Sequence, residues 1–280
     1  MTTVGVINPG AMGASVAAAV AGNGHRVVWA GDGRSRATHD RASQAGIKDC
    51  GSIKALAAES DIIISVCPPA NAADVAVDVV SAGFRGLLVD ANAISPARAR
   101  GIATNVTSGG AGFVDGGIIG GPAWTRDSRT VLHLSGDEAS TIAGLFVDSP
   151  LHTNIVSAEV GAASALKMVF AAYTKGSTAL LTAILGVAEK EGVRGDLEKQ
   201  WGEEFTDQTH RRVTANTAKA WRFVGEMEEI AATFAGAGLS HGFHSAAADT
   251  FSRLEPFKDN PAQAIETVLE ALLANQSEDK

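Results

Sequence analysis

The chain has 280 residues, 45% of them apolar, enough for two ordinary domains with cores of their own. A formal charge of −8 and a pI near 5.4 exclude the basic face that nucleic acid requires, so the expected partners are small molecules and copies of the same chain. Cys50 and Cys67 stand apart, without CxxC or metal-ligand spacing, and suit a reducing cytoplasm better than a disulfide scaffold.

Val4, Val6 and Ile7 form a short apolar strand, and the small residues from Met12 onward predict a helix. Between them lies NPGAMG, Asn8 to Gly13, in the place of a dinucleotide-binding turn. In such a turn the first glycine permits the bend and the second lets backbone approach the pyrophosphate. The third lets helix and strand pack closely, with the phosphates at the helix N-terminus. Gly10 and Gly13 hold the second and third positions. Asn8 takes the first, and Asn is the non-glycine side chain that best tolerates a left-handed backbone. Pro9 restricts Asn8, and Ala11 and Met12 complete the expected phosphate loop. The run AMGASVAAAVAG is not read as a signal peptide, because no Lys or Arg precedes it and it follows a strand. No uninterrupted apolar segment reaches the roughly 18 residues of a membrane helix, so no membrane partner is expected.

Arg26 to Ala30 reads as the second strand, followed by a polar loop. Readers of NAD place an acid at the tip of this strand for the ribose 2′-hydroxyl, whereas readers of NADP offer arginine to its phosphate. Here Arg34, Ser35 and Arg36 outweigh Asp32, which predicts NADP and leaves NAD possible. Asp61 to Val66 is a further apolar strand closed by Cys67-Pro68-Pro69, Ala72 to Ser81 a helix, and Leu87 to Ala91 another strand, after which Pro96 opens a helix. Cys67 and Pro68 are expected to line the nicotinamide through backbone and shape, Cys67 as a small apolar residue and not a nucleophile. Asn92, just past a strand end, either contacts the nicotinamide ribose or substrate oxygen or caps the Pro96 helix. Strands around Phe113, Val131 and Ile155, with a helix over Asp137 to Phe146, complete a doubly wound parallel sheet. This NAD(P)-binding Rossmann domain is expected to span residues 1–157.

From Glu159 the strand signal ends. Between Gly161 and Glu189 the only charged residues are Lys167 and Lys175, which predicts a long helix over Glu159 to Ala188, apolar on nearly every face. Such a helix must be buried on nearly every side, so a homodimer is expected. Helical segments over 196–218, 221–235, 244–254 and 261–274 complete an all-α domain, residues 158–280, for substrate and dimerisation; QSEDK reads as a frayed tail. His241 and His244 could share a helical face, but no acidic or cysteine cluster accompanies them, and no metal site is expected.

Four stretches carry a resemblance. GVINPGAMG is similar to a GxIGLGxMG start, and DANAISP, Asp90 to Pro96, to DxSTxxP, with Asn92 and Ala93 at its Ser and Thr. DGGIIGGP, Asp115 to Pro122, is similar to the substrate motif DAPVSGG; Gly120 and Gly121 match and Ile119 stands at the serine. GAASALK, Gly161 to Lys167, is similar to GxGxxxK, with Ala163 at its second glycine and Ala171 where an asparagine usually follows. On these residues the chain resembles the β-hydroxyacid dehydrogenase and 6-phosphogluconate dehydrogenase superfamily along nearly its whole length, as a branch with its own helical C-terminal domain.

The resemblance implies hydride transfer between a nicotinamide and a small hydroxy acid or its oxo counterpart. It makes Lys167 the catalytic residue and puts Ile119, Gly120, Gly121 and Ala171 at the substrate. Elementary chemistry agrees on the lysine: the alcohol must shed a proton as its hydride leaves, and burial in an apolar helix lowers an amine's pKa toward that task. Thr174 shares the helical face of Lys167 and serves either site or packing, while Tyr173 and Lys175 point elsewhere. Ile119 cannot hold a carboxylate as serine does, so Trp124, Arg126 and Arg129 become candidate anchors. The runner-up is an imine reductase, a related branch that usually has Asp or Tyr in place of the lysine. A third reading is a non-catalytic sensor of dinucleotide redox state.

Overall fold

The computed structural model describes residues 1–274, so the expectation for the QSEDK tail lies outside the described residues. The chain divides into two compact units, one from Met1 to Met168 and one from Val169 onward.

The first unit alternates strands and helices: β1 (Thr3–Ile7), α1 (Ala11–Gly22), β2 (Arg26–Trp29), α2 (Arg36–Gln44), β3 (Lys48–Asp49), α3 (Ile53–Glu59), β4 (Ile62–Ser65), α4 (Ala72–Ser81), β5 (Leu87–Asp90), α5 (Pro96–Ser108), β6 (Gly112–Ile119), β7 (Val131–Ser135), α6 (Ala139–Ala143) and β8 (His152–Ser157). They build one sheet in the order β3-β2-β1-β4-β5-β6-β7-β8. The first six strands are parallel, and their order is that of the doubly wound dinucleotide-binding fold. The apolar runs produce this because successive residues enter different cores: Ile62 and Ile64 join Val4, Val6 and Val89 under α1, while Ile63 joins Ile7 and Leu88 under α3, α4 and α5.

Three details depart from the sequence expectation. β3 is a two-residue edge strand of polar, exposed Lys48 and Asp49, and it carries no apolar signal. β7 runs antiparallel to β6, and β8 beyond it leaves Ile155 and Val156 49% and 38% exposed, so the sheet is neither wholly parallel nor covered at this edge. The helix expected over Asp137 to Phe146 is the short α6 followed by a 3-10 turn at Gly144–Phe146.

α7 (Ala162–Lys190) begins in the first unit and continues into the second, which adds α8 (Arg194–Trp201), α9 (Glu203–Thr217), α10 (Ala220–Gly236), α11 (Gly242–Ser252) and α12 (Ile265–Ala274). The single helix expected over 196–218 is two, because Gly202 breaks it with φ of 78°. Phe223 of α10 meets Phe251 of α11 edge to face, and Met227 and Ile230 are fully buried beside them. Among the described residues α7 is the one helix long and apolar enough to cross a membrane, with 44% of its most apolar 18-residue window buried. Val169, Tyr173, Leu180 and Val187 remain 52%, 73%, 45% and 64% exposed, so one chain does not bury this helix on nearly every side.

Candidate functional site

The C-terminal ends of β1, β2, β4, β5 and β6 bring Asn8 to Gly13, Gly31 to Arg36, Cys67-Pro68, Asn92 and Gly120-Gly121 to one edge of the sheet, where open α/β sheets hold ligands. At the first of these ends Asn8 adopts φ of 59°, the left-handed bend that the missing glycine would have made. A Cβ on Gly13 would lie 2.7 Å from the Asn8 carbonyl oxygen, so the third position must stay bare for helix and turn to meet. Gly10 caps α1 without a side-chain bond, and a Cβ there would meet nothing nearer than 3.9 Å, which leaves the first-turn N–H groups approachable. The Asn8 Oδ1 atom is buried without a partner among the described residues. A bare helix N-terminus and an approachable backbone fit a dinucleotide phosphate. Ser15 ties this turn to the loop after β6: its hydroxyl donates to the Met12 carbonyl and accepts from the Ala123 N–H.

At the tip of β2 the loop exposes Asp32, Arg34, Ser35 and Arg36. Two residues that sequence reasoning missed lie here. The Asp49 carboxylate of β3 accepts from the Gly31 N–H at 3.0 Å and the Gly51 N–H at 2.8 Å, and it crowds Gly31 so closely that a Cβ would fall 2.1 Å from it. Arg41 of α2 donates through Nε to the Pro9 carbonyl, joining this region to the phosphate turn.

Beneath the ends of these strands runs a buried polar row, Ser65, Asp90, Asp115 and Ser135, paired residue to residue across β4, β5, β6 and β7. Asn92 is fixed by it: its N–H donates to Asp90 Oδ1 at 3.0 Å, its amide donates to Ser65 Oγ at 3.3 Å, and its Oδ1 accepts the Cys67 N–H at 2.6 Å. Asn92 therefore joins the ends of β4 and β5, with its side chain 2% exposed. Burial raises the Cys67 thiol to about 11, so it stays protonated near neutrality. Burial also raises Asp90 to about 7, against the opposing Asn92 N–H and with help from the neighbouring Asp115 charge, and among the described residues Asp90 Oδ2 has no partner.

Asp115 sets the position of Lys167. Its carboxylate accepts the Gly161 and Ser164 N–H groups, each at 3.0 Å, and the hydroxyls of Ser164 and Ser135, thereby gripping the first turn of α7 from within β6. One turn on, α7 lies on Gly117, where a Cβ would be 2.7 Å from the Ala163 carbonyl oxygen and 2.9 Å from Lys167 Cβ. Lys167 is half-buried above the end of β6 that leads into Ile119, Gly120 and Gly121. His133, paired with Gly117 across the strands, is held below its ordinary pKa by burial and then by the Lys167 charge. Neither His133 nor the grip of Asp115 is visible in sequence, because each joins residues far apart in the chain.

After β6, Gly120 takes φ of 129° and would collide with Thr130 if it carried a Cβ. The loop encloses an open cavity of about 290 Å3 lined by Gly120, Gly121, Asp127, Arg129 and Thr130; Arg126 is not part of its lining. Trp124 is exposed.

In the second unit Ala171 is buried and Thr174 half-buried, with the Thr174 hydroxyl donating back to the Phe170 carbonyl at 3.2 Å. Lys175 pairs with Glu226 and covers the Phe223 ring, a packed arrangement inside this unit. His244 packs on Phe234 and Phe243, while His241 faces Ser245; among the described residues no group of three or more His, Cys, Asp or Glu is placed to hold a metal.

Comparison with known proteins agrees with this architecture. The family profile of the NAD binding domain of 6-phosphogluconate dehydrogenase matches residues 3–143, and a domain of unknown function matches residues 185–254. An uncharacterised 28.5 kDa protein of Methanothermus fervidus is 30% identical over 202 residues, 71% of this chain and 77% of that protein. A solved conserved protein of unknown function, described as structurally similar to 3-hydroxyacid dehydrogenases, is 27% identical, with a TM-score of 0.65 over 91% of this chain and 97% of its own. The Mycobacterium tuberculosis 3-hydroxyisobutyrate dehydrogenase, solved with L-serine, shares the fold with 20% identity and a TM-score of 0.69 over 98% and 99% of the two chains.

Proposed function

Because the chain belongs to the β-hydroxyacid dehydrogenase and 6-phosphogluconate dehydrogenase superfamily, we propose that it is an NADP-dependent oxidoreductase that moves hydride between a small hydroxy acid and its oxo counterpart. The observation that carries this reading is the seat of Lys167. Asp115 and Gly117 of β6 hold its helical turn at the same sheet edge as the phosphate turn, which supports a role for its amine at the carbon-bound oxygen of a substrate resting on Gly120-Gly121. A bound nicotinamide would supply the hydride acceptor for the alcohol carbon or the hydride donor for the carbonyl carbon. Lys167 takes the hydroxyl proton in the first direction and gives it back in the second. Asn8 to Gly13 hold the pyrophosphate, Arg34, Ser35 and Arg36 the ribose phosphate, and Asn92 with Cys67 and Pro68 the nicotinamide side. Arg129, at the cavity beyond Gly121, is the better placed substitute for the absent serine, and a carboxylate is the anion it fits.

In this reading residues 1–157 are the cofactor domain and residues 158–280 the substrate and dimerisation domain, with Ala171 and Thr174 as its proposed substrate residues. The exposed Val169, Tyr173, Leu180 and Val187 recur at spacings of four, seven and seven residues, the seam of a paired helix, so a second protomer covers them and the protein is a homodimer. A cytoplasmic setting belongs to the same proposal. The test is a panel of hydroxy acids, their oxo counterparts and cyclic imines, followed by NADPH absorbance with the purified chain. Turnover of hydroxy or oxo acids supports the reading; turnover of imines alone replaces it with the imine reductase. Cofactor preference is measured as the ratio of specificity constants for NADP and NAD in wild type and Arg34→Ala. The wild type is expected to favour NADP and the variant to lose that preference.

A further inference from the structure

We propose that Arg41 is a cofactor-specificity residue whose guanidinium contacts the phosphate on the 2′ position of the adenosine ribose. The inference rests on the dinucleotide reading above. Arg41 is a cation between two loops. Arg41 Nε donates to the Pro9 carbonyl at 3.2 Å, inside the turn proposed to grip the pyrophosphate. Its Nη2 donates to Thr38 Oγ1, also at 3.2 Å, and that hydroxyl lies 3.1 Å from Ser35 Oγ in the loop at the tip of β2. A dinucleotide lying over this sheet runs from the first loop to the second, and the adenosine ribose occupies the interval between them.

Both acceptors on Arg41 are neutral. A guanidinium carries five N–H donors in a planar fork, so after these two bonds donors remain on Nη1 and Nη2. Arg41 is half-buried, and among the described residues no carboxylate pairs with it. Of the nearby acids, Asp49 accepts the Gly31 and Gly51 N–H groups and faces His39 at 3.8 Å, and Asp32 lies beside Gly51. A partly desolvated cation without a counter-charge is costly unless an anion arrives, and a ribose phosphate is the anion this interval would receive. Asp49 adds selectivity of the opposite sense, since its carboxylate stands at the same strand tip and repels phosphate placed on its own side. The cation on α2 therefore decides where the phosphate can sit.

Equilibrium binding of NADP+, NAD+ and 2′,5′-ADP to the full chain tests this, with wild type, Arg41→Met and Arg41→Lys, and thermal melting to verify that each variant is folded. Arg41→Met is expected to weaken NADP+ and 2′,5′-ADP by about 10- to 100-fold while NAD+ changes less than about threefold. Arg41→Lys keeps the charge without the fork and is expected to fall between. Equal weakening of NADP+ and NAD+ would make Arg41 a staple for the Pro9 turn only and overturn the inference, as would unchanged affinities. A wild type that binds NADP+ but shows either pattern leaves the dinucleotide reading intact, whereas a wild type that binds neither dinucleotide removes both.

Discussion

Lys167 and Asp90 carry two different proton questions. Lys167→Met keeps the aliphatic stem over Gly117 and removes the amine, so the loss should fall on turnover by about a hundred- to ten-thousand-fold. Dinucleotide affinity, measured by titration of the same variant, should stay within a few-fold. Asp90 bears on stability. Its carboxyl holds its proton up to about 7 in the folded chain, far above the ordinary carboxylate value near 3.8. The folded state then binds more protons than the unfolded state between those values. The stabilisation linked to that proton is complete below the lower value and is lost as pH rises through the upper one, with each unit of displacement worth about 1.4 kcal/mol. Asp90→Asn, which holds a neutral amide there at every pH, should gain on wild type as urea midpoints are compared from pH 5 to pH 8. A constant difference across that range would show that the carboxyl does not titrate there.

At the scale of the element, the phosphate turn was legible and the elements that frame it were not. Asn8 was read as a left-handed residue from its chemistry alone, and φ of 59° is what the turn uses. Asn8→Gly should therefore preserve dinucleotide affinity, whereas Asn8→Val should cost about 1–2 kcal/mol of stability in the same bend. Gly13→Ala would drive a methyl into the Asn8 carbonyl at 2.7 Å, and titration should show dinucleotide affinity reduced at least about tenfold. By contrast β3 left no trace, since a two-residue edge strand has no period to detect, and with it went Asp49, 18 residues from the Gly31 N–H it binds. The grip of Asp115 on Ser164 spans 49 residues, and Arg41 reaches 32 residues back to Pro9. Such contacts depend on the finished fold, and no local pattern contains them.

For the whole molecule, alternating strands and small-residue helices were enough to predict a doubly wound domain followed by an all-helical one. The strand order and the helical second unit agree with that. What the pattern could not supply was the reversal at β7, since an apolar strand reads alike in either direction. The long apolar α7 poses the assembly question. One chain leaves Val169, Tyr173, Leu180 and Val187 exposed along a single seam, and a second copy is expected to close it. Light scattering at low micromolar concentration should give a dimer for wild type and a monomer for a Tyr173→Glu, Leu180→Glu double variant, because two carboxylates facing their own copies across a helical pair oppose association. A stable, active wild-type monomer would remove the paired-helix account.

The central claim is that Lys167 passes the proton while hydride moves between a nicotinamide and a small hydroxy acid. Its most direct measurement is NADPH consumption by wild type and Lys167→Met on the oxo acids of the substrate panel, with NADPH binding titrated in both. Wild type is expected to turn over an oxo acid, and the variant to lose at least about a hundredfold in turnover at nearly unchanged NADPH affinity. A variant that turns over within a few-fold of wild type, or a wild type that reduces only imines, would contradict it.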